Sequence, residues 1–114
     1  MHEVAIMSEA LRMAEDAATT AGAKRILKLR LRLGTLSGVV EDSLRFAFDV
    51  VSHETMAAGA TLEIEPVPGA CWCAPCQAEF ECVDLFNECP RCHNPSGELR
   101  RGRELEIAAV EIDK

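Results

Sequence analysis

Apolar residues in the first part of the chain follow a helical period and then a strand period. Met7, Leu11, Ala14, Ala18 and Ala21 recur at spacings of three and four, which stacks them on one face of a helix. Gly22 predicts the stop, because glycine enters the left-handed region freely just beyond a helix. Leu27, Leu29, Leu31 and Leu33 then alternate with Lys28, Arg30 and Arg32, predicting a strand with one apolar and one basic face. Gly34 and Gly38 bracket a turn. A second helix is expected from Glu41-Asp42, where acids suit the positive end of the helix dipole. Its apolar face is Leu44, Ala47, Phe48 and Val51, with Phe46 and Val50 widening it.

Leu62 and Ile64 alternate with Glu63 and Glu65 in a second strand, closed by Pro66 and Pro68. A last strand starts at Leu105 and Ile107 and changes phase before Val110 and Ile112, which predicts a bulge near Ala108-Ala109. The first strand is basic outward and the other two are acidic outward. Like charges facing each other destabilise a sheet, so the basic strand belongs between the acidic ones. The expected order is second, first, last, with the two helices on the leucine face and the N-terminus at the rim of this layer.

Between these elements the aliphatic pattern fades and cysteine takes over. All six cysteines fall between Cys71 and Cys92. Residues 70–98 carry five acids and one base, net −4 within a chain of 114 residues and net charge −7. The chain therefore divides into residues 1–69 plus 99–114, one α/β domain, and residues 70–98, an inserted module. The 48% hydrophobic content excludes disorder as the main state. No apolar run is long enough for a membrane span. The acidic opening Met1-His2-Glu3 has no leader character, so a cytoplasmic protein is expected.

Cys73-x-x-Cys76 and Cys89-x-x-Cys92 are two knuckles whose thiolates can occupy the corners of a tetrahedron. Such a closed shell suits structural Zn(II). Iron accepts the same ligands, and a redox pair or disulfide accounts for one knuckle but not for two. Cys71 and Cys82 are read as spectators, with Cys71 an alternative to Cys73, and His93 as a substitute ligand beside Cys92. The expected fold class is thus α/β of the α+β kind: two helices on a small three-stranded mixed sheet, with an inserted zinc-ribbon-like cysteine module.

Histidine at position two offers different chemistry. The terminal amine of Met1, the deprotonated amide of His2 and its imidazole can close adjacent chelate rings on one ion, and Glu3 can add an oxygen or its backbone nitrogen. A nitrogen-rich set of this kind suits nickel or copper in a tetragonal arrangement. A solvated terminal histidine is the other reading. Met1-His2-Glu3, the Gly34-Thr35-Leu36-Ser37-Gly38-Val39 turn, the double knuckle with Cys89-Pro90, and Gly102-Arg103-Glu104-Leu105 occur here in one order. Together they resemble the HypA/HybF family of hydrogenase-maturation nickel metallochaperones.

The resemblance covers essentially the whole chain. It implies Ni(II) as transferable cargo at His2, the Met1 amine and Glu3, and structural Zn(II) at Cys73, Cys76, Cys89 and Cys92. It also implies delivery to a [NiFe]-hydrogenase large-subunit precursor alongside the HypB GTPase. In some members an acidic residue after the glycine turn adds a nickel ligand; Glu41 and Asp42 occupy that stretch, where helix-dipole matching is the other reading. His53 reads as a surface or capping residue.

Two other classes are weighed against this one, a zinc-ribbon adaptor or nucleic-acid module and an enzyme. A zinc-ribbon adaptor or interaction module without nickel cargo needs only the double knuckle. A nucleic-acid reader needs clustered bases and stacking rings, whereas the acidic cysteine span offers Trp72, Phe80 and Phe86 alone. An enzyme needs a nucleophile with its base or a phosphate-cradling loop, and neither pattern is present, so no catalytic residue is assigned.

Overall fold

The computed structural model describes residues 3–82, 88–95 and 98–113. Met1 and His2, two of the candidate nickel ligands, and Phe86 lie outside the described residues. The element order is α1 (Glu3–Thr20), β1 (Arg25–Gly34), α2 (Glu41–Val51), β2 (Thr61–Val67), β3 (Gly69–Cys73), β4 (Ala78–Cys82), β5 (Glu98–Arg101) and β6 (Leu105–Asp113). These elements divide into two compact units. The first comprises residues 1–32, 39–65 and 106–114, and the second residues 33–38 and 66–105. The cysteine-bearing unit thus reaches beyond residues 70–98 and takes in the glycine turn.

The first unit is built on the sheet β2-β1-β6, with the basic strand in the middle. Lys28 and Arg30 pair with Glu63, Lys28 also reaches Glu111, and Arg32 lies between Glu65 and Glu106. Partner numbers rise along β1 on the β2 side and fall on the β6 side. Hence β2 runs parallel to β1, through the α2 crossover, and β6 runs antiparallel, giving a mixed sheet. A ladder of cross-strand ion pairs thus accompanies the placing of the basic strand between the acidic ones.

The core of this unit consists of Met7, Leu11, Ala14 and Ala18 on α1, Leu44, Ala47 and Phe48 on α2, and Ile26, Leu29 and Leu31 on β1. The two helices pack against each other. Helix α1 ends as the sequence suggests. Gly22 has φ +79°, its N–H donates to Thr19 O, and Ala23 N–H donates to Ala18 O, which satisfies two terminal carbonyls. Three expectations need correction. Leu27 faces outward and Ile26 is buried in its place, because the alternation of β1 is out of phase before Leu29. Phe46 and Val50 do not widen the buried face of α2; both are exposed. Pro66 lies inside β2 rather than ending it, which an edge strand tolerates because its outer N–H groups have no ladder partner to lose. The phase change in β6 falls at Ile107-Ala108, where two successive residues are half-buried.

The second unit contains a second three-stranded sheet, β4-β3-β5, that the apolar pattern does not announce. Strand β3 is central and antiparallel to both neighbours, with a register shift between Ala70 and Cys71 on the β5 side. The glycine turn is tied into this unit by main-chain bonds: Gly34 N–H to Glu104 O, Thr35 N–H to Val67 O, and Leu36 N–H to Gly102 O. Thr35 Oγ1 accepts from Gly69 N–H. Backbones approach so closely here that a Cβ on Gly34 would be driven into the Gly102 carbonyl. Gly102 itself has φ +124°, and its N–H donates to the Glu104 carboxylate at 2.7 Å.

Candidate metal centre

Strand β3 ends at Cys73 and β4 begins at Ala78, so the first knuckle is the turn between two paired strands. The second knuckle is closed by Cys89 N–H donating to Asn94 O and by a bridge between Glu88 and Pro95. Both knuckles release the chain through a left-handed residue directly after the second cysteine, Gln77 at φ +53° and His93 at φ +62°. Gln77 N–H returns to Ala74 O and His93 N–H to Cys89 O, so each turn is bonded across its own base.

These turns bring Cys73, Cys76, Cys89 and Cys92 together, with all four sulfurs within 4.8 Å of one another. Cys73 and Cys92 stand 3.4 Å apart and Cys76 and Cys89 3.9 Å apart. A tetrahedral zinc with bonds of about 2.3 Å separates its sulfurs by about 3.8 Å, so the cluster already has the size of a zinc–thiolate shell. Cys73 and Cys89 are buried, and Cys76 and Cys92 half-buried. The four cysteines selected by spacing are therefore the four that converge.

Electrostatics agree with a cation-holding role. The backbone N–H groups of Cys92 and Arg91 donate to the Cys89 sulfur and, with the Cys73 and Cys92 thiols, bring its pKa down to about 6 against the cost of burial. Cys76 is pushed up to about 12, first by the sulfur of Cys92, then by that of Cys73 and by burial. Cys73 receives the Cys76 N–H, which lowers its pKa, but burial and the thiols of Cys92 and Cys89 outweigh this and raise it. Without a cation the cluster cannot carry four thiolates. A divalent ion supplies the missing charge, and its binding releases protons.

The remaining candidates separate cleanly. His93 is not in the converging group; its Nδ1 lies 2.9 Å from Glu88 Oε1, and its ring is exposed. Cys71 and Cys82 pair with each other, sulfur to sulfur at 3.1 Å, outside the four. Glu3 opens α1, half-buried in its first turn. Glu41 accepts from Arg45 one helical turn on, and Asp42 is exposed beside it. His53 is exposed next to Glu54. Sequence reasoning missed the Arg100 guanidinium, 4.5 Å from the Trp72 ring centroid, and the ion pair of Arg101 with Glu79; both depend on strand register, which composition does not encode. Among the described residues no helix is long and apolar enough to cross a membrane.

Comparison with known proteins gives this architecture a place. The sequence model of the family described as hydrogenase/urease nickel incorporation, metallochaperone, HypA matches residues 1–112. The hydrogenase maturation factor HypA of Picosynechococcus sp. is 45% identical over 112 residues, covering 98% of this chain and 99% of the relative. That of Chloroflexus aurantiacus is 46% identical over 113 residues, covering 97% and 98%. The solution structure of the Ni metallochaperone HypA from Helicobacter pylori shares the fold, with a TM-score of 0.68 at 22% identity over 98% of this chain and 97% of that one. With the family model matched across residues 1–112 and relatives 45% and 46% identical along nearly the whole chain, the chain belongs to the HypA family of hydrogenase and urease nickel-incorporation metallochaperones.

Proposed function

We propose that this protein is a nickel metallochaperone that carries Ni(II) at its N-terminus and delivers it during maturation of [NiFe]-hydrogenase, with Zn(II) as its structural metal. The observation that carries the reading is the closure of the cysteine site. Four converging sulfurs complete a tetrahedral shell and leave no open position, so an exchangeable cargo needs a second donor set. His2, the Met1 amine and Glu3 supply that set. Glu3 stands in the first turn of α1, where backbone N–H groups have no intrahelical acceptor and are available for deprotonation and ligation. In this reading the first unit serves as the nickel-binding domain and the second, which contains residues 70–98, as the zinc domain. The partners are the HypB GTPase and the hydrogenase large-subunit precursor, in the cytoplasm. Delivery proceeds by ligand exchange and needs no catalytic residue.

Native mass spectrometry of untagged protein tests this, with zinc retained and one equivalent of nickel added, for the wild type and His2→Ala. The expected result is one zinc and one nickel on the wild type, and one zinc alone on the variant. Zinc on both with nickel specific to neither would overturn the cargo assignment and leave a zinc-stapled adaptor or interaction module.

A further inference from the structure

Two of the six cysteines stand outside the zinc set, and the β3–β4 register brings them together. Cys71 opposes Phe80 and Gly69 opposes Cys82, so Cys71 and Cys82 project from the same face as diagonal neighbours. Both are buried, at 2% and 4% exposure, with their sulfurs 3.1 Å apart. Gly69 makes the room: a Cβ at that position would stand 2.7 Å from the Cys82 carbonyl oxygen and 3.0 Å from its sulfur. The separation of 3.1 Å exceeds a disulfide bond by only about 1 Å, within reach of side-chain rotation.

We infer that Cys71 and Cys82 form a dithiol–disulfide couple, a latch across β3 and β4 that leaves the four zinc thiolates untouched. The oxidant is hydrogen peroxide, small and neutral enough to enter a buried site. One sulfur attacks a peroxide oxygen; an S–O bond forms, the O–O bond breaks and water leaves, giving a sulfenic acid. The second sulfur attacks the first; the S–S bond forms, the S–O bond breaks and its oxygen leaves as a second water. Two electrons pass from the sulfurs to the peroxide, and both thiol protons end in water. A small-molecule dithiol reverses the change by thiol–disulfide exchange. The ring closed between residues 71 and 82 contains Cys73 and Cys76, so the latch holds both ends of the first knuckle. The nickel assignment plays no part in this inference.

The test uses the full chain with its metal, whose content is read by native mass spectrometry before any oxidant is added. One equivalent of hydrogen peroxide is then supplied. The expected outcome is a loss of two hydrogens with the zinc count unchanged, reversed by dithiothreitol. Glutamate-specific digestion, which cuts at Glu79 and Glu81, should leave the Cys71 and Cys82 fragments linked. The Cys71→Ala and Cys82→Ala variants should bind zinc as before and lose no hydrogens as an intramolecular pair. Zinc expelled with linkages among Cys73, Cys76, Cys89 and Cys92 would overturn the latch. So would six thiols still titratable after treatment, or added oxygen persisting on either sulfur.

Discussion

Gln77 and His93 occupy equivalent places in the two knuckles: each directly follows the second cysteine of its pair, and each has a positive φ. The left-handed turn lets the chain leave the knuckle without carrying the second sulfur away from the first. It costs a non-glycine residue about 1 kcal/mol or more, and the convergence of four sulfurs offsets that cost. The role of His93 is therefore conformational. Its imidazole turns to Glu88 instead of to the cysteine cluster.

Replacing His93 by Asn, which tolerates the left-handed region, should leave zinc stoichiometry at one and change stability by less than about 0.5 kcal/mol. Metal analysis after competition with a chromophoric chelator checks this. A tenfold weaker retention of zinc would mark His93 as a ligand. His93→Val should fare worse than His93→Asn, since a β-branched side chain resists positive φ.

The glycine turn supplies a steric prediction. Gly34 faces the Gly102 carbonyl at a distance that admits no side chain, and the obstacle is backbone rather than a movable side chain. Gly34→Ala should destabilise the protein by about 1–3 kcal/mol through overpacking. Gly38→Ala meets no nearby atoms and bears only the penalty of its φ of +81°, about 1 kcal/mol. Urea unfolding of the two variants should rank them in that order, and the reverse order would mean that the Gly34–Gly102 contact relaxes.

Two phenylalanines two positions apart on α2 have opposite environments: Phe46 is 68% exposed and Phe48 3%. Phe48→Ala should cost about 3–5 kcal/mol by leaving a cavity, whereas Phe46→Ala should change stability by less than about 0.5 kcal/mol. Equilibrium denaturation of the zinc-loaded variants separates the two. A large loss at Phe46 would contradict its exposure.

How far these features could be read from sequence depends on whether local chemistry or register creates them. The Leu29–Leu33 alternation and the spacing of Met7, Leu11, Ala14 and Ala18 in α1 are local, and both appear as read; Ala21, expected on the same face, instead lies exposed in the turn after Thr20, where Gly22 has already ended the helix. Ile26 and Leu27 are both apolar, and strict alternation selects Leu27, whereas the strand turns Ile26 inward. Strand β3 was hidden for a related reason. Its residues Gly69, Ala70, Cys71 and Cys73 are all buried, and a strand buried on both faces shows no alternation. The four metal-site cysteines were legible because ligand spacing is local to each knuckle. The pairing of Cys71 with Cys82 was not, since it follows from Gly69 opposing Cys82 across two strands. Gly102 and Glu104 stood out as a motif, and the structure supplies their cause: a positive-φ glycine whose N–H is held by the carboxylate.

Acid sensitivity should be traceable to the ion-pair ladder. Hydrogen bonds from Arg30 and Lys28 hold the Glu63 carboxyl below its ordinary value. A carboxylate depressed in the folded state stabilises the fold above its unfolded pKa, about 4.3, and the contribution is lost as pH falls through the lower folded value. Stability measured by urea unfolding should therefore decline from about pH 5 downward in the wild type. Glu63→Gln should be less stable at neutral pH and show a shallower decline over the same range. Parallel curves would mean that Glu63 gains nothing from its partners, as many exposed ion pairs do not.

Removal of zinc should act unevenly on the molecule. Among the described residues the cysteine unit buries few aliphatic side chains, Leu33 and Ala70 beside Cys71, Cys73, Cys82 and Cys89, so metal binding supplies much of its folding free energy. Leu11, Leu29, Leu44 and Phe48 belong to the first unit, whose core contains no metal ligand. The only tryptophan, Trp72, lies on β3 beneath the Arg100 guanidinium and one residue from Cys73, which makes it an intrinsic reporter of the metal site. A strong chelator with reductant should red-shift the Trp72 emission as β3 loses its neighbours, while the far-ultraviolet helical signal of α1 and α2 persists. Re-addition of one equivalent of Zn(II) should restore the emission. Simultaneous loss of both signals would show that the helices also depend on the metal, and no change in either would remove zinc from the folding of the second unit.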